Sequence, residues 1–526
     1  MTTPLDTGRY GSAEMRGLFT DPARYAAFIR VEGALAEVQG RHGVIPAAAA
    51  RAVAAQAASY TPDLAAVARI EEVSRHEVFA VVQEFAARCG EHGRYVHFGA
   101  TSSDILDTAL ALQLDATIRL LRQRLTALMT GLSERVGVDG GHEMIGRTHG
   151  QHAQPITFGF KLAVFLDQLT RCLERLDELR PRAVMGKMAG AVGTLAGLGP
   201  LGPRVQHDVL ALLGLPEPRI SAQAVARDRV AEFFCWVALT ASCLDNLATE
   251  IRNLQRTEIG EVAESFAEGD QIGSSAMPHK RNPVRCERVG SLARLLRSLV
   301  GPALENVVTW HERDLANSAN ERFTLPQAGI LLDEMLTVMT AVAADLKVRP
   351  ERMAANLELS RTASISEAVL LALVESGADR LTGYRMVQRA SAMAAGGGEA
   401  RGVEAPGAAG RGAAGRGAAG RGVPSGGAQV AVGRDVLRAL ADDPEVTALI
   451  PAEELAKFAA RPPDIGDSEA LTEQTLRHAA RALRAGVGAV PGAVAVPGAV
   501  AEAAEAAGSD EAENRENREN PEEGSR

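Results

Sequence analysis

The stretch Gly273-Ser274-Ser275-Ala276-Met277-Pro278-His279-Lys280-Arg281-Asn282-Pro283 carries the densest chemistry in the chain. Gly opens it, Pro closes it and small residues fill its middle, which predicts a mobile loop between two helical patterns. Two hydroxyls, a lysine and an asparagine in such a loop can close over an anion and bring a base or nucleophile with them. A second stretch, Gly146-Arg147-Thr148-His149-Gly150-Gln151-His152-Ala153-Gln154-Pro155, offers two imidazoles three residues apart. No nearby Glu-x-x-His or cysteine completes a ligand set around them, so no metal is expected. One imidazole acting as general acid or base near neutral pH is one reading; a histidine capping a helix start is the other. A third stretch, Gly99-Ala100-Thr101-Ser102-Ser103-Asp104, reads as a helix N-cap that takes up orphan amides. The same terminus presents amides, hydroxyls and a positive dipole end to an anion, and the two readings are compatible.

The elements that must position these stretches are long helices. Leu110, Leu114, Ile118, Leu121, Leu125, Leu128 and Leu132 follow one another in steps of three and four, a single apolar stripe. Similar patterns run from Phe158 to about Leu179, from Asp228 to about Glu258, from about Val284 to Val300 and from about Leu325 to Leu346. Helices of this length exceed the globular average and predict an elongated bundle packed on itself or on other subunits. Residues 396–427 break the pattern with 13 glycines and three copies of Gly-Ala-Ala-Gly-Arg, starting at 407, 412 and 417. Ordering so much glycine costs backbone entropy that nothing there can offset, so a disordered surface insertion is expected. Val-Pro-Gly-Ala-Val repeats at 486–500 and Glu-Asn-Arg repeats at 501–526 predict disorder too, while 434–485 reads helical again.

Composition narrows the function classes. The 526 residues carry a formal charge of −10, and nine acids against three arginines in 501–526 supply −6 of it. A body near −4 with 4% aromatics is neither a polyanion binder nor a base-stacking platform, so no nucleic-acid partner is expected. The five cysteines are scattered and lack C-x-x-C spacing, the pattern of a reducing compartment. No signal sequence or uninterrupted apolar span is apparent, so a cytoplasmic chain without a membrane partner is expected.

The 273–283 loop resembles the signature loop of the fumarase/aspartase superfamily. Thr101-Ser102-Ser103-Asp104 and the Thr148–Pro155 stretch resemble its two other common regions, in the expected order. Within the superfamily the chain is most similar to the adenylosuccinate lyase family. That likeness rests on Arg9-Tyr10, Ser74-Arg75-His76-Glu77, Gln255-Arg256-Thr257-Glu258-Ile259-Gly260-Glu261-Val262, and Trp310-His311-Glu312-Arg313-Asp314 with Ser318 and Glu321-Arg322. It covers about 8–395 and resumes weakly over 434–485.

The resemblance implies an all-α, three-domain fold whose central long helices form a tetrameric helical core. The expected divisions are an N-terminal helical domain (1–100), a central bundle (101–350), a C-terminal helical domain (351–485) interrupted at 396–433, and a disordered acidic tail (486–526). It implies a fumarate-releasing C–N lyase, with active sites shared between subunits of a homotetramer and no cofactor. By the same analogy Ser274 is the base, His149 the general acid and Glu287 its carboxylate partner. Lys280 and Asn282 bind the succinyl carboxylates, helped by Thr101 and Ser102. His76 and His97 match active-site histidines, and Arg75, Glu77 and Thr148 stand in the matching motifs. Arg9, Tyr10, Arg313, Ser318 and Arg322 match a phosphate clamp, for which arginine plus hydroxyl is apt chemistry.

Departures are Glu77 where Asp is usual, Ala226 where Gln is usual and Val230 where His is usual. They lie where base and ribose belong and support an alternative leaving group, as in nitrosuccinate or a hydrazinosuccinate. A non-catalytic structural member of the superfamily would have lost Ser274, His149, Lys280 or Glu287, and all four stand. Deleting 396–427 is expected to leave turnover largely unchanged. A variant lacking those residues that no longer folds would show that the insertion packs.

Overall fold

The apolar stripes become helices close to their expected lengths. The structure, a computed structural model, describes residues 3–267, 271–359, 361–394 and 436–485. The glycine-rich repeats and the acidic tail lie outside the described residues.

The chain opens with α1 (Ala13–Gly17), α2 (Asp21–Arg41), α3 (Ala47–Ala58), α4 (Leu64–Ser74) and α5 (Glu77–Arg88). The bundle follows as α6 (Ser102–Asp139), α7 (Phe158–Ala183), α8 (Gly202–Leu213), α9 (Asp228–Leu254), α10 (Val284–Ser298), α11 (Val300–Glu305) and α12 (Ser318–Asp345). After it come α13 (Pro350–Leu359), α14 (Arg361–Glu375), α15 (Arg380–Ala394), α16 (Pro444–Thr447), α17 (Ala452–Ala460) and α18 (Ser468–Ala485). The strands are few. β1 (Glu143–Thr148) pairs antiparallel with β2 (Gln151–Thr157), and β3 (Val262–Ala263) with β4 (Lys347–Val348). The histidine-bearing stretch is therefore a β-hairpin and not a helix start. Its two strands pair locally around a tight turn, with an irregularity between Ile145 and Arg147.

Ion pairs give the bundle its directions. Arg124 bonds Asp333 at 3.0 Å, and Arg135 donates to the Ala343 carbonyl at 3.2 Å, so α6 and α12 run parallel. Arg122 meets Asp177 at 2.7 Å and Arg180 meets Asp115 at 2.7 Å, so α7 runs antiparallel to α6. The starts of α6, α9 and α12 consequently share one end of the bundle. Arg227, the N-cap residue of α9, joins them there: it donates to Asp107 of α6 at 2.9 Å and to Glu321 of α12 at 2.8 Å. Burial disfavours its charge, but the two carboxylates outweigh that and hold its pKa above the ordinary value.

The apolar core forms two clusters. The larger takes in buried side chains from Met15 to Met353 together with Ala479 of α18, which packs on α7. The smaller is built by α14, α15 and the 436–458 region, around Val369, Leu373, Leu440 and Leu455. α9 and α12 are long and apolar enough to cross a membrane, yet 56% and 61% of their most apolar windows are buried inside the bundle. Packing accounts for their apolarity without a bilayer.

Removing Arg227 strands the buried Asp107 carboxylate and the part-buried Glu321 carboxylate. Arg227→Met is expected to cost about 3–5 kcal/mol of stability, read as a lower midpoint in urea unfolding. An unchanged midpoint would show that the helix starts are held by apolar packing alone.

Candidate active site

A cleft of about 670 Å³ opens at the shared helix starts, lined by Arg75, His76, Glu77, Thr101, Ser102, Arg313, Ser318 and Arg322 among others. Eight of the residues singled out from sequence thus meet in one chain. Arg75 and His76 form the corner between α4 and α5. Arg75 closes α4 in the left-handed conformation, at φ 54°, and His76 caps α5. The His76 Nδ1 accepts the Phe79 amide at 3.2 Å. In the neutral ring the proton therefore sits on Nε2, which faces the Ser102 hydroxyl at 3.3 Å. A cap that serves the helix also sets the tautomer shown to the cleft.

The start of α6 is rigid for a similar reason. Thr101 and Asp104 form a capping box. The fully buried Asp104 carboxylate also takes the Lys187 ammonium, the Ala189 amide at 2.8 Å and the Gly190 amide at 3.1 Å. Thr101 and Ser102 are thus held at the positive end of a helix of 38 residues. Behind them His97 adopts φ 63° and faces the buried Glu32 at 2.6 Å. His97 does not line the cleft. Burial opposes its charge, but the Glu32 hydrogen bond and charge, with Asp104, raise its pKa above the usual imidazole value.

The other residues lie elsewhere. Gly159 of α7 bonds back to Gly140, so the β1–β2 hairpin stands at the far end of α6. Its two turn residues, His149 at φ 55° and Gly150 at φ 74°, have the double positive φ of a type I′ turn. Such a turn favours Asn or Gly, and a histidine held there is a strained position of the kind found at working sites. Arg147 anchors the hairpin with a two-pronged bond to the buried Glu261 at 2.9 and 2.7 Å, and Asn356 supports the same carboxylate at 2.8 Å. His149 and Thr148 are exposed at the tip. Burial and the Arg147 charge push His152 below the usual imidazole value.

The Gly273–Pro283 loop shares this far end, since Arg285 and Ser265 both reach Asp345, the last residue of α12. A Cβ on Gly273 would sit 2.1 Å from the Lys280 carbonyl oxygen, so only glycine closes this loop. Asn282 donates to the Gly273 carbonyl at 3.0 Å, and the Ser274 hydroxyl accepts the Met277 amide at 3.2 Å. Lys280 points to solvent. Glu287, in the first turn of α10, faces Arg252 at 4.0 Å. Arg9 and Tyr10 form a third place. The segment beside them bonds Glu334 and Asp333 of α12, which puts it about 24 Å along that helix from Ser318.

Within one chain, then, the cleft is about 57 Å, the length of α6, from the hairpin and the loop. Residues that sequence reasoning passed over include Lys187, a lysine alone among small and apolar neighbours, and Gln223, which accepts from Arg313 at 3.3 Å. His311, quoted in the Trp310–Asp314 motif but given no role there, stands in the cleft wall at φ 52°.

The lyase family pattern matches residues 8–296. The adenylosuccinate lyase of Pyrococcus abyssi is 45% identical over 386 residues, 73% of this chain and 85% of that protein. That of Methanothermobacter thermautotrophicus is 43% identical over 388 residues, 74% and 86% of the two chains. Among solved structures, a fumarate lyase from Mesorhizobium sp. BNC1 superposes with a TM-score of 0.74 at 29% identity, covering 89% of this chain and 98% of that one. The 3-carboxy-cis,cis-muconate lactonizing enzyme of Pseudomonas putida also gives 0.74 at 29% identity, covering 91% and 100%.

The His97–Glu32 pair makes stability depend on pH. A raised folded pKa means its contribution is fully present below about pH 6.5, the unfolded imidazole value. It is lost as pH rises through the higher folded value. Urea midpoints measured across this range are expected to fall with rising pH in the native protein and to lose that component in Glu32→Gln. The same pH slope in both proteins would assign it to another group.

Proposed function

Because the chain belongs to the lyase family, alongside the adenylosuccinate lyases, we propose that it cleaves the C–N bond of adenylosuccinate to AMP and fumarate. The succinyl-carboxamide ribotide of purine synthesis is proposed as a second substrate of the same site. The observation that carries the reading is the cleft. Arg75, Arg313 and Arg322 converge with the hydroxyls of Thr101, Ser102 and Ser318 at the starts of two parallel helices. Cationic forks, hydroxyls and two positive dipole ends suit a substrate carrying a phosphate and two carboxylates.

In the proposed reaction a base takes a proton from the carbon beside one carboxylate. The electron pair left there becomes the new C=C bond, the C–N bond breaks, and an acid protonates the departing nitrogen. Ser274 is the base and His149 the acid, with Glu287 orienting the imidazole once assembled. Lys280 and Asn282 hold the succinyl carboxylates and stabilise the charge that builds up on them. His76 and Ser102 form the opposite wall, and Arg313, Ser318 and Arg322 take the phosphate with Arg9 and Tyr10.

No single chain brings these groups together. We therefore propose that the hairpin, the loop and the Arg9–Tyr10 segment reach each cleft from other subunits of a homotetramer, with long helices forming the shared core. A cytoplasmic location is proposed from the free thiols of all five cysteines.

Adenylosuccinate turnover, followed by absorbance and fumarate release, tests the reaction. Ser274→Ala and His149→Ala are each expected to lower kcat by about 10²–10⁴-fold with the fold intact. Mixed subunits of His149→Ala and Arg322→Met should show more activity than either variant alone. A mixture that stays inactive would remove the shared site. A folded tetramer that spares adenylosuccinate and cleaves nitrosuccinate would move the leaving group.

A further inference from the structure

Glu77 sits in the cleft wall, yet its carboxylate is not available to a ligand. It is only 8% exposed, and both oxygens are engaged. Arg24 of α2 faces it with both terminal nitrogens, Nη2 on Oε1 and Nη1 on Oε2 at 3.3 Å. The Tyr25 hydroxyl donates to Oε1 at 3.4 Å, and Arg322 Nη2 donates to Oε2 at 2.7 Å. Arg24 itself lies outside the cleft lining, with its guanidinium over the rings of Tyr25 and Phe28 at 5.4 and 5.8 Å. The Arg322 side chain is half exposed, in the cleft. Burial and the Glu77 charge push the Tyr25 hydroxyl up to about 12, so it remains a donor to this carboxylate.

Glu77 and its two arginines sum to +1, with Arg24 also 3.4 Å from the exposed Asp21, and their arrangement decides where that charge is felt. A buried carboxylate demands full pairing. With Arg24 in place, Glu77 needs one N–H of Arg322, enough to fix its plane. The rest of the Arg322 fork stays directed at the cleft. Without Arg24, Arg322 is the guanidinium left to satisfy Glu77, and a two-pronged pair forms with no net charge. The cleft would then lose the fork and its attraction for an anion.

We propose that Arg24 is a positioning residue for anion binding: by occupying Glu77 it keeps the Arg322 guanidinium free for the anionic group of the substrate. On the reading above, on which this inference rests, that group is the nucleotide phosphate. Glu77 is then a spacer between two arginines and not a substrate ligand, and its extra methylene over Asp is the reach that spans them.

The test uses the full-length enzyme with adenylosuccinate as substrate and AMP and fumarate as product inhibitors. Arg24→Met is expected to raise KM and the AMP inhibition constant about tenfold, with kcat within about threefold. Inhibition by fumarate, which has no phosphate, should stay within about twofold. Adding Glu77→Gln removes the charge that captures Arg322 and should bring AMP inhibition back to within about threefold of the native value. Arg24→Lys, which keeps the charge and loses the fork, should fall between. If Arg24→Met does not fold, Arg24→Lys with and without Glu77→Gln carries the same comparison.

Unchanged AMP inhibition in the Arg24 variants, or no recovery on adding Glu77→Gln, overturns the proposal. An equal loss toward AMP and fumarate means a merely structural role and also overturns it. Arg322→Met separates the two layers: if it leaves AMP inhibition unaltered, the assignment of the phosphate to this cleft fails, whatever Arg24 does.

Discussion

One largely buried cation organises the end of the bundle where the cleft opens. Arg227 reaches Asp107 of α6 and Glu321 of α12 while standing at the start of α9. Three helices therefore begin at one level, and their positive ends converge. A salt bridge in the interior is weak evidence for stability, because desolvation offsets much of the attraction. Its value here is registry. It sets the height of Ser318 and Arg322 against Thr101 and Ser102, and the cleft exists because those heights agree.

The second constraint is length. A helix of 38 residues cannot bring its two ends together, so within one chain the hairpin and the loop do not reach the cleft. The strained His149 turn and the glycine-closed loop both stand at the far end, exposed and well anchored below. Anchored bases with exposed tips suit groups that work on a neighbour's surface. The hairpin rests on the buried Arg147–Glu261–Asn356 set, so its tip is presented by a rigid support.

Much of this was legible in the residues. The stripe from Leu110 to Leu132 lies within α6, and the Phe158, Asp228, Val284 and Leu325 patterns fall on α7, α9, α10 and α12. Helical periodicity survives because each long helix buries a continuous face, and that face must repeat. The Thr101–Asp104 cap was readable as well, since a capping box is local chemistry. The hairpin at 143–157 was not, because Thr148-His149-Gly150-Gln151 gives a weak turn signal when the turn residue is a histidine.

By itself the sequence determined the helices, the caps and the family of chemistry, because these depend on residue types at short spacing. Tertiary structure alone decided which residues share a site. It grouped Arg75, His76, Ser102 and Arg322 from three separated segments, placed Arg9 and Tyr10 about 24 Å along α12 from Ser318, and sent Ser274 and His149 to the opposite end. It also turned Glu77 from an expected ligand into the link between Arg24 and Arg322. The physical reason is that charge pairing and helix direction act across tens to hundreds of residues, where neither periodicity nor local propensity carries information.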